Sequence, residues 1–313
     1  MTAGAQLWDE AGADPKGAMM SYVDTPLTKQ IREAVSSAWG LDVGDAGERL
    51  FSGEESAAFR VGAQVVRIGP AWRTTAELEW CHGIAMAAAQ EIPEAVPPLP
   101  NHAGATVIRV GGRPVSVWPY VDGSRIDDDD ACQRAEAAEL LARLHQVLGS
   151  QRRRFGPRPG GGGTVTSRAI EHGDSELNTW VRAFDAEARW TQPIHGDFYA
   201  GNLLTRSGHI VALLDWDEAI LSRPERELAW VAWEFGHGLW ADSLNEVWKF
   251  VAAYKDAGGP ADPPDDLTLR SLVRERLLGE MYYVDQHHQG NELTDEDRSY
   301  RQRQQERYEQ LRS

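Results

Sequence analysis

Asp197, Asn202 and Asp215 are the residues whose types and spacing could do chemistry. They fall in residues 194–217, IHGDFYAGNLLTRSGHIVALLDWD. Residues 203–206 and 209–214 flank Ser207-Gly208, which reads as a tight hairpin turn because Gly tolerates positive φ. A hairpin returns its ends to one place, so Asn202 and Asp215 are expected side by side, with Asp197 close by. Two carboxylates and a carboxamide make an oxygen-rich constellation. Such oxygens suit Mg²⁺, a hard cation held by one or two side chains plus substrate phosphates. The alternative reading of the same residues is a buried polar turn in an unrelated hydrolase.

The spacing Asp-x4-Asn, followed by an apolar strand ending in Asp, resembles the catalytic and metal loops of the protein-kinase-like fold. The wording His195-Gly196-Asp197, with Asp215-Trp216-Asp217 where protein kinases carry Asp-Phe-Gly, is similar to the aminoglycoside phosphotransferase and choline kinase-like family. The tripeptide alone is common by chance. Its combination with Asn202, the hairpin and Asp215 is specific. The resemblance covers most of residues 48–290. It implies an α+β, two-lobed protein-kinase-like fold, with a small antiparallel-sheet lobe carrying a helix, a larger mainly helical lobe, and ATP or GTP in the cleft. It also implies that Asp197 takes the proton of an acceptor hydroxyl while Asn202 and Asp215 hold Mg²⁺. Asp217 departs from the protein-kinase Gly but agrees with the small-molecule branch, and is expected to be structural. His195 is expected to hold the loop through backbone hydrogen bonds.

The elements that must position these residues follow from periodicity and punctuation. Residues 1–24 have no period and read as a mobile leader. In 25–39 (TPLTKQIREAVSSAW), Leu27, Ile31, Val35 and Trp39 recur every four, which predicts an amphipathic helix. Residues 48–68 read as three strands with turns at Ser52-Gly53 and Gly62-Ala63. By resemblance the first turn, with Ser52, covers the nucleotide phosphates; taken alone it is an ordinary hairpin, and Glu54-Glu55 suit phosphate poorly. Arg67 is a cation inside the apolar run VVRIG, where burial of an unpaired charge is costly. By resemblance it is the strand-three basic residue that binds phosphate; otherwise it stands on an edge strand facing water. A helix is predicted over 74–90, and its Glu79, with Glu77 as rival, is the resemblance's partner for Arg67. First-turn glutamates also simply complement the helix dipole. Strands at 105–110 and 114–118 lead to WPYVDG, which resembles the lobe connector whose main chain, at Pro119 and Val121, receives the adenine edge. The two lobes are thus expected at 25–120 and 121–313.

Beyond 124 helices dominate. Residues 126–130 (IDDDD) precede a helix through 148, and Asp there reads as a cap or as an acidic clamp for a cation. His145, on the face of Leu140, Leu141, Leu144 and Leu148, reads as a core histidine. Residues 151–163 (QRRRFGPRPGGGG) read as a flexible basic surface loop; the glycines open no GKS/T helix and so make no phosphate loop. PERELA, 224–229, resembles the family's Pro-x-x-Asp-Leu-Ala segment, but the longer Glu227 makes its loop-bracing role questionable. Helices are predicted at 227–234, 243–257 and 267–287, with a charged tail from 295. By resemblance these form the acceptor pocket, where Glu234, Asp242, Glu280 and Asp285 could meet amino groups; each also reads as a solvated helix face.

Composition limits the remaining classes. Hydrophobic residues make up 42% and charged residues 26% of 313, as in an ordinary globular protein. No run of about 18 apolar residues occurs, so no membrane partner is expected. The start lacks the basic and apolar regions of a signal peptide, and with only Cys81 and Cys132 a disulfide framework is not expected. A cytoplasmic protein is the expectation. The formal charge of -16, from 48 acidic and 32 basic residues, opposes nucleic acid; it would draw in a cationic substrate, but on charge alone it reads first as an ordinary acidic surface. The function expected is ATP- and Mg²⁺-dependent phosphorylation of a hydroxyl on an aminoglycoside or other cationic antibiotic. Choline, homoserine, a sugar or a peptide Ser/Thr are the alternative acceptors. A pseudokinase scaffold would have no need of Asp197, Asn202 and Asp215 together.

Overall fold

The computed structural model describes residues 25–44, 47–50, 56–160, 174–187, 190–287 and 295–312. The chain forms two compact units, Met1–Met86 with Val96–Val121, and Ala87–Ala95 with Asp122–Ser313. The short stretch Ala87–Ala95 therefore belongs to the second unit although it precedes the end of the first.

In the first unit, α1 (Lys29–Trp39) begins at a Thr28 cap, whose hydroxyl accepts from the Ile31 N–H, and ends at Gly40 with φ 69°. The helix therefore starts later than residue 25, because the capping oxygen rather than Pro26 sets its first turn. Strands β1 (Glu48–Leu50), β2 (Ala57–Val61), β3 (Gln64–Ile68), β4 (Ile108–Val110) and β5 (Arg113–Pro119) form one antiparallel sheet in the order β1-β2-β3-β5-β4. Alternation puts Ala57, Phe59, Val66, Ile68, Val115 and Val117 on one face, where they pack with Ile31 and Val35 of α1. α2 (Thr75–Ala88) opens with a capping box: Glu77 N–H donates to Thr74 Oγ1 at 3.1 Å, and Thr74 N–H to Glu77 Oε2 at 3.4 Å.

The second unit holds β6 (Ser124–Arg125), α3 (Ala131–Ser150), α4 (Ser175–Ala186), β7 (Gln192–Ile194), β8 (Leu203–Arg206), β9 (His209–Leu213), β10 (Ile220–Ser222), α5 (Pro224–Phe235), α6 (Asn245–Asp256), α7 (Asp266–His287) and α8 (Asp295–Gln310). Asp130 caps α3 by accepting from the Cys132 and Gln133 N–H groups. Of the two readings of the acidic run, the cap is thus realised at Asp130. α3 buries Leu140, Leu141, Leu144, His145 and Leu148 completely and packs against α5 and α6. α5 is buried on nearly every side, with Leu228, Ala229, Val231 and Ala232 at 0% exposure, so it forms the middle of this core. Two small sheets carry the loops of interest: β6-β8-β9 and the antiparallel pair β7–β10. The β8–β9 hairpin has the expected turn, with Ser207 at φ 53° and Gly208 at φ 81°, both positive as a type I′ turn requires.

The tail expected from 295 is instead a docked helix. Arg303 Nε donates to Leu239 O at 2.9 Å, Arg307 donates to the Gly238 and Ala241 carbonyls, and Tyr308 and Leu311 are buried. Its charges masked the two apolar anchors that fix it. No helix among the described residues is long and apolar enough to cross a membrane.

Candidate active site

β7 delivers the chain to His195, which is fully buried. His195 Nε2–H donates to Leu214 O at 3.0 Å, and Nδ1 accepts the Asp197 N–H at 3.2 Å. Burial pushes the imidazole below its ordinary pKa, outweighing the carboxylates nearby, so the ring is neutral as these two roles require. The histidine thus ties the loop carrying Asp197 to the strand that leads into Asp215. Gly196 takes φ 83°, and a Cβ there would lie 2.2 Å from the Glu218 carbonyl oxygen. Only glycine fits this crossing.

Asn202 ends the 3-10 turn Ala200–Asn202, and Leu214 N–H donates to its carbonyl at 2.9 Å across the neck of the hairpin. Its amide NH₂ donates to both the carbonyl and the Oδ2 of Asp197, each at 2.9 Å. Those bonds fix which end of the amide is nitrogen, and among the described residues Asn202 Oδ1 has no partner. Asp215 follows at φ 55°, left-handed backbone that a non-glycine residue adopts at some cost and that Asp tolerates better than most. The three residues singled out by spacing therefore meet at the neck of one hairpin. Burial pushes the Asp197 carboxyl up to about 7, helped by the charges of Asp215 and Glu218 and opposed by Arg276 and the Asn202 hydrogen bond. Among the described residues no group of three or more His, Cys, Asp or Glu could hold a metal.

Glu227 corrects the doubt about its length. Its carboxylate accepts the His195 N–H at 3.3 Å and the Gly196 N–H at 2.6 Å, so it does brace the loop. The same carboxylate takes His145 Nε2–H at 2.8 Å, while His145 Nδ1 meets Tyr254 Oη at 2.8 Å and that oxygen accepts the Ala261 N–H. Burial opposes ionisation of Glu227, but the hydrogen bonds it accepts from His145 and the Gly196 N–H hold its pKa below the ordinary value. His145 is a core histidine, as expected, within a satisfied polar network.

A profile of the phosphotransferase enzyme family matches residues 47–266 of this sequence. The chain belongs to that family. It is a small-molecule kinase, a phosphotransferase acting on hydroxyl groups. No curated protein sequence matches it. An amicoumacin kinase solved with AMP-PNP and Ca²⁺ superposes with a TM-score of 0.67 at 13% identity, over 89% of this chain and 92% of that one. A microcompartment-associated aminopropanol kinase gives 0.66 at 15%, over 90% and 96%. A choline/ethanolamine kinase family protein from Mesorhizobium loti gives 0.60 at 18%, over 91% and 95%. These likenesses establish the protein-kinase-like α+β fold.

Several other residues of the phosphotransferase have partners that spacing did not foresee. Arg158, in the basic loop taken for a surface excursion, is half-buried and donates to Asp217 O at 2.9 Å and Ala219 O at 3.0 Å. It buttresses the turn after Asp215. Glu280, expected to face amino groups of a substrate, accepts instead from Arg276 Nε at 3.3 Å and Gln304 Nε2 at 3.2 Å. Glu234 is half-buried on α5, Asp242 is exposed, and the side chain of Asp285 lies outside the described residues.

In the first unit of the phosphotransferase, Arg67 lies on the central strand β3, not on an edge, half-buried and 5.7 Å from the Trp118 ring centroid. Glu79 does not follow the expected pairing: its oxygens accept from Thr106 N–H at 2.8 Å, Thr106 Oγ1–H at 2.7 Å and Val107 N–H at 2.9 Å. Glu77 serves the capping box and lies 3.5 Å from Arg73. Pro119 closes β5 opposite Gln64, and the half-buried Val121 has no main-chain hydrogen bond among the described residues. Ser52 lies outside the described residues.

Proposed function

We propose that this phosphotransferase moves the γ-phosphoryl group of ATP to a hydroxyl of a small-molecule acceptor, with Asp197 receiving the hydroxyl proton and Asn202 and Asp215 holding Mg²⁺. The observation that carries this reading is the amide of Asn202. By spending both its donors on Asp197 it orients the carboxylate and leaves Oδ1 as a hard oxygen, on a residue whose main chain is tied to Leu214, the neighbour of Asp215. The cation would neutralise charge developing on the phosphates. Arg67 steadies phosphate oxygens and the Val121 main chain receives the adenine edge. Antibiotics with amino groups are the first acceptor class to test, because the chain carries a formal charge of -16 and an amicoumacin kinase shares the fold. Amino alcohols are the second, on the likeness to the aminopropanol kinase.

The test is a mass-spectrometric phosphotransfer screen with ATP, Mg²⁺ and a panel of aminoglycosides, amicoumacin, choline, homoserine and simple sugars. A product gaining one phosphoryl group, absent in the Asp197→Asn protein, is the expected result. A protein that binds neither ATP nor Mg²⁺ contradicts the reading.

The raised Asp197 pKa gives the pH dependence a sign. The carboxylate form is the proton acceptor, and it is lost as pH falls through about 7. The kcat/KM profile, which reports the free enzyme, is therefore expected to drop on the acid side with a midpoint near 7. A profile flat down to about pH 5 contradicts the role given to Asp197.

A further inference from the structure

The hydrogen bonds that brace the Asp197 loop do not end at Glu227. Behind it a line of buried groups runs from the end of α6, through α3, to the main chain of His195 and Gly196. Ala261 N–H donates to Tyr254 Oη at 3.1 Å, Tyr254 Oη lies 2.8 Å from His145 Nδ1, and His145 Nε2 lies 2.8 Å from Glu227 Oε2. Glu227 then accepts the N–H groups of His195 and Gly196, next to Asp197. Ala261, Tyr254 and His145 are completely buried, so solvent screens these links little. Counting donors gives the line a direction. Glu227 is ionised and only accepts, so His145 Nε2 carries a proton. Among the described residues Tyr254 Oη has two partners, the Ala261 N–H and His145 Nδ1. An amide only donates, which leaves the phenol hydrogen for Nδ1. Burial pushes the Tyr254 pKa up, so that hydrogen is retained. His145 is thereby a neutral ring protonated on Nε2 alone. The phenol itself is clamped: a Cβ on Gly259 would lie 2.1 Å from its ring, and Gln146 Nε2 ties the neighbouring Gly258 carbonyl to α3 at 2.7 Å.

We propose that Tyr254 is a positioning residue for phosphotransfer, whose hydroxyl fixes the tautomer and orientation of His145 and, through Glu227, the place of the Asp197 loop. The proposal rests on Asp197 being the group that takes the acceptor's proton. An imidazole whose Nδ1 had lost its donor would be free to turn or to take a second proton there. Either change moves its bond to Glu227 Oε2. The His195 N–H shares that oxygen, and Gly196 N–H holds the other, so the shift passes directly to the loop. Tyr254 acts on the loop only through His145 and Glu227.

The experiment compares wild type, Tyr254→Phe and Tyr308→Phe. The last is a control that removes another buried hydroxyl, the one donating to Asp174. Amide hydrogen exchange is followed in peptides covering 194–199 and 57–68, and MgATP turnover is measured with water as the acceptor. In Tyr254→Phe, exchange over 194–199 should be about tenfold faster while 57–68 is unchanged. Its kcat should fall about three- to tenfold, with KM for MgATP within about twofold. Tyr308→Phe should show neither effect. Unchanged exchange over 194–199 in Tyr254→Phe, an unchanged kcat, or equal acceleration in Tyr308→Phe overturns the proposal. If Tyr254→Phe does not fold, the ¹⁵N spectrum of the His145 ring in wild type decides. Nε2 protonated and Nδ1 bare is the expected pattern, and a proton on Nδ1 overturns it. A wild type that neither binds nor hydrolyses MgATP sinks the kinase reading, while the exchange comparison still decides whether Tyr254 holds the loop.

Discussion

Asp197→Asn is expected to lower kcat for phosphotransfer by about 10²- to 10⁴-fold while the melting temperature changes little. The substitution keeps shape, and the new carbonyl oxygen can still accept from Asn202 Nδ2, now 2.9 Å from Asp197 Oδ2. What is lost is basicity, because an amide does not take up the hydroxyl proton. Removing a buried carboxyl whose pKa burial has raised also removes a group that folding does not favour in its charged form, so no large stability loss is expected. The comparison is a steady-state assay of both proteins at saturating ATP and acceptor, with thermal melts alongside. A kcat within about tenfold of wild type would mean that positioning by the rest of the site suffices and that Asp197 has another role.

Glu227→Ala should be the most destabilising single change in the site, by about 3–5 kcal/mol. Glu227 is 5% exposed, and its removal leaves the His195 N–H, the Gly196 N–H and His145 Nε2–H without their acceptor in a dry interior. Each orphaned donor costs about 1–3 kcal/mol, and the three are coupled and will not add. Loss of the brace also frees the loop that carries Asp197, so activity should fall even in the fraction that stays folded. Glu227→Gln retains one oxygen and should be milder on both counts. Chemical denaturation of the three proteins measures this; a midpoint for Glu227→Ala equal to that of wild type contradicts the bracing role.

How much was legible in the sequence varied with the physical range of the interaction. The hairpin was readable because Ser207-Gly208 sits between two apolar runs and turn chemistry is local. A hairpin also dictates that Asn202 and Asp215 meet, whatever surrounds it. The same holds for α3, where Asp130 and the Leu140–Leu148 face are set by neighbours in sequence. What was not legible came from long-range hydrogen bonds made by residues of ordinary surface type. Nothing within a few positions of Arg158 indicates that it reaches the carbonyls of Asp217 and Ala219, and its glycine- and arginine-rich setting suggests the opposite. Glu79 was assigned a cation by resemblance, while the structure gives its oxygens to the Thr106–Val107 main chain, a partner that no pattern in α2 announces. Arg276 sits among the charged residues of α7, and only the packing of α7 beside α5 distinguishes it from a solvated position. Glu227 was one methylene longer than expected; whether that mattered depended on where α5 lies relative to β7, which the local sequence does not specify.

The most direct test of the phosphotransfer centre is nucleotide affinity measured by calorimetry, with and without Mg²⁺, for wild type and Asp215→Ala. If Asn202 Oδ1 and Asp215 hold the cation that bridges to the phosphates, wild type should bind ATP about tenfold or more tightly with Mg²⁺ than without it, and Asp215→Ala should lose that difference while remaining folded. Mg²⁺-dependent binding that persists unchanged in Asp215→Ala would contradict the assignment of the cation to this hairpin.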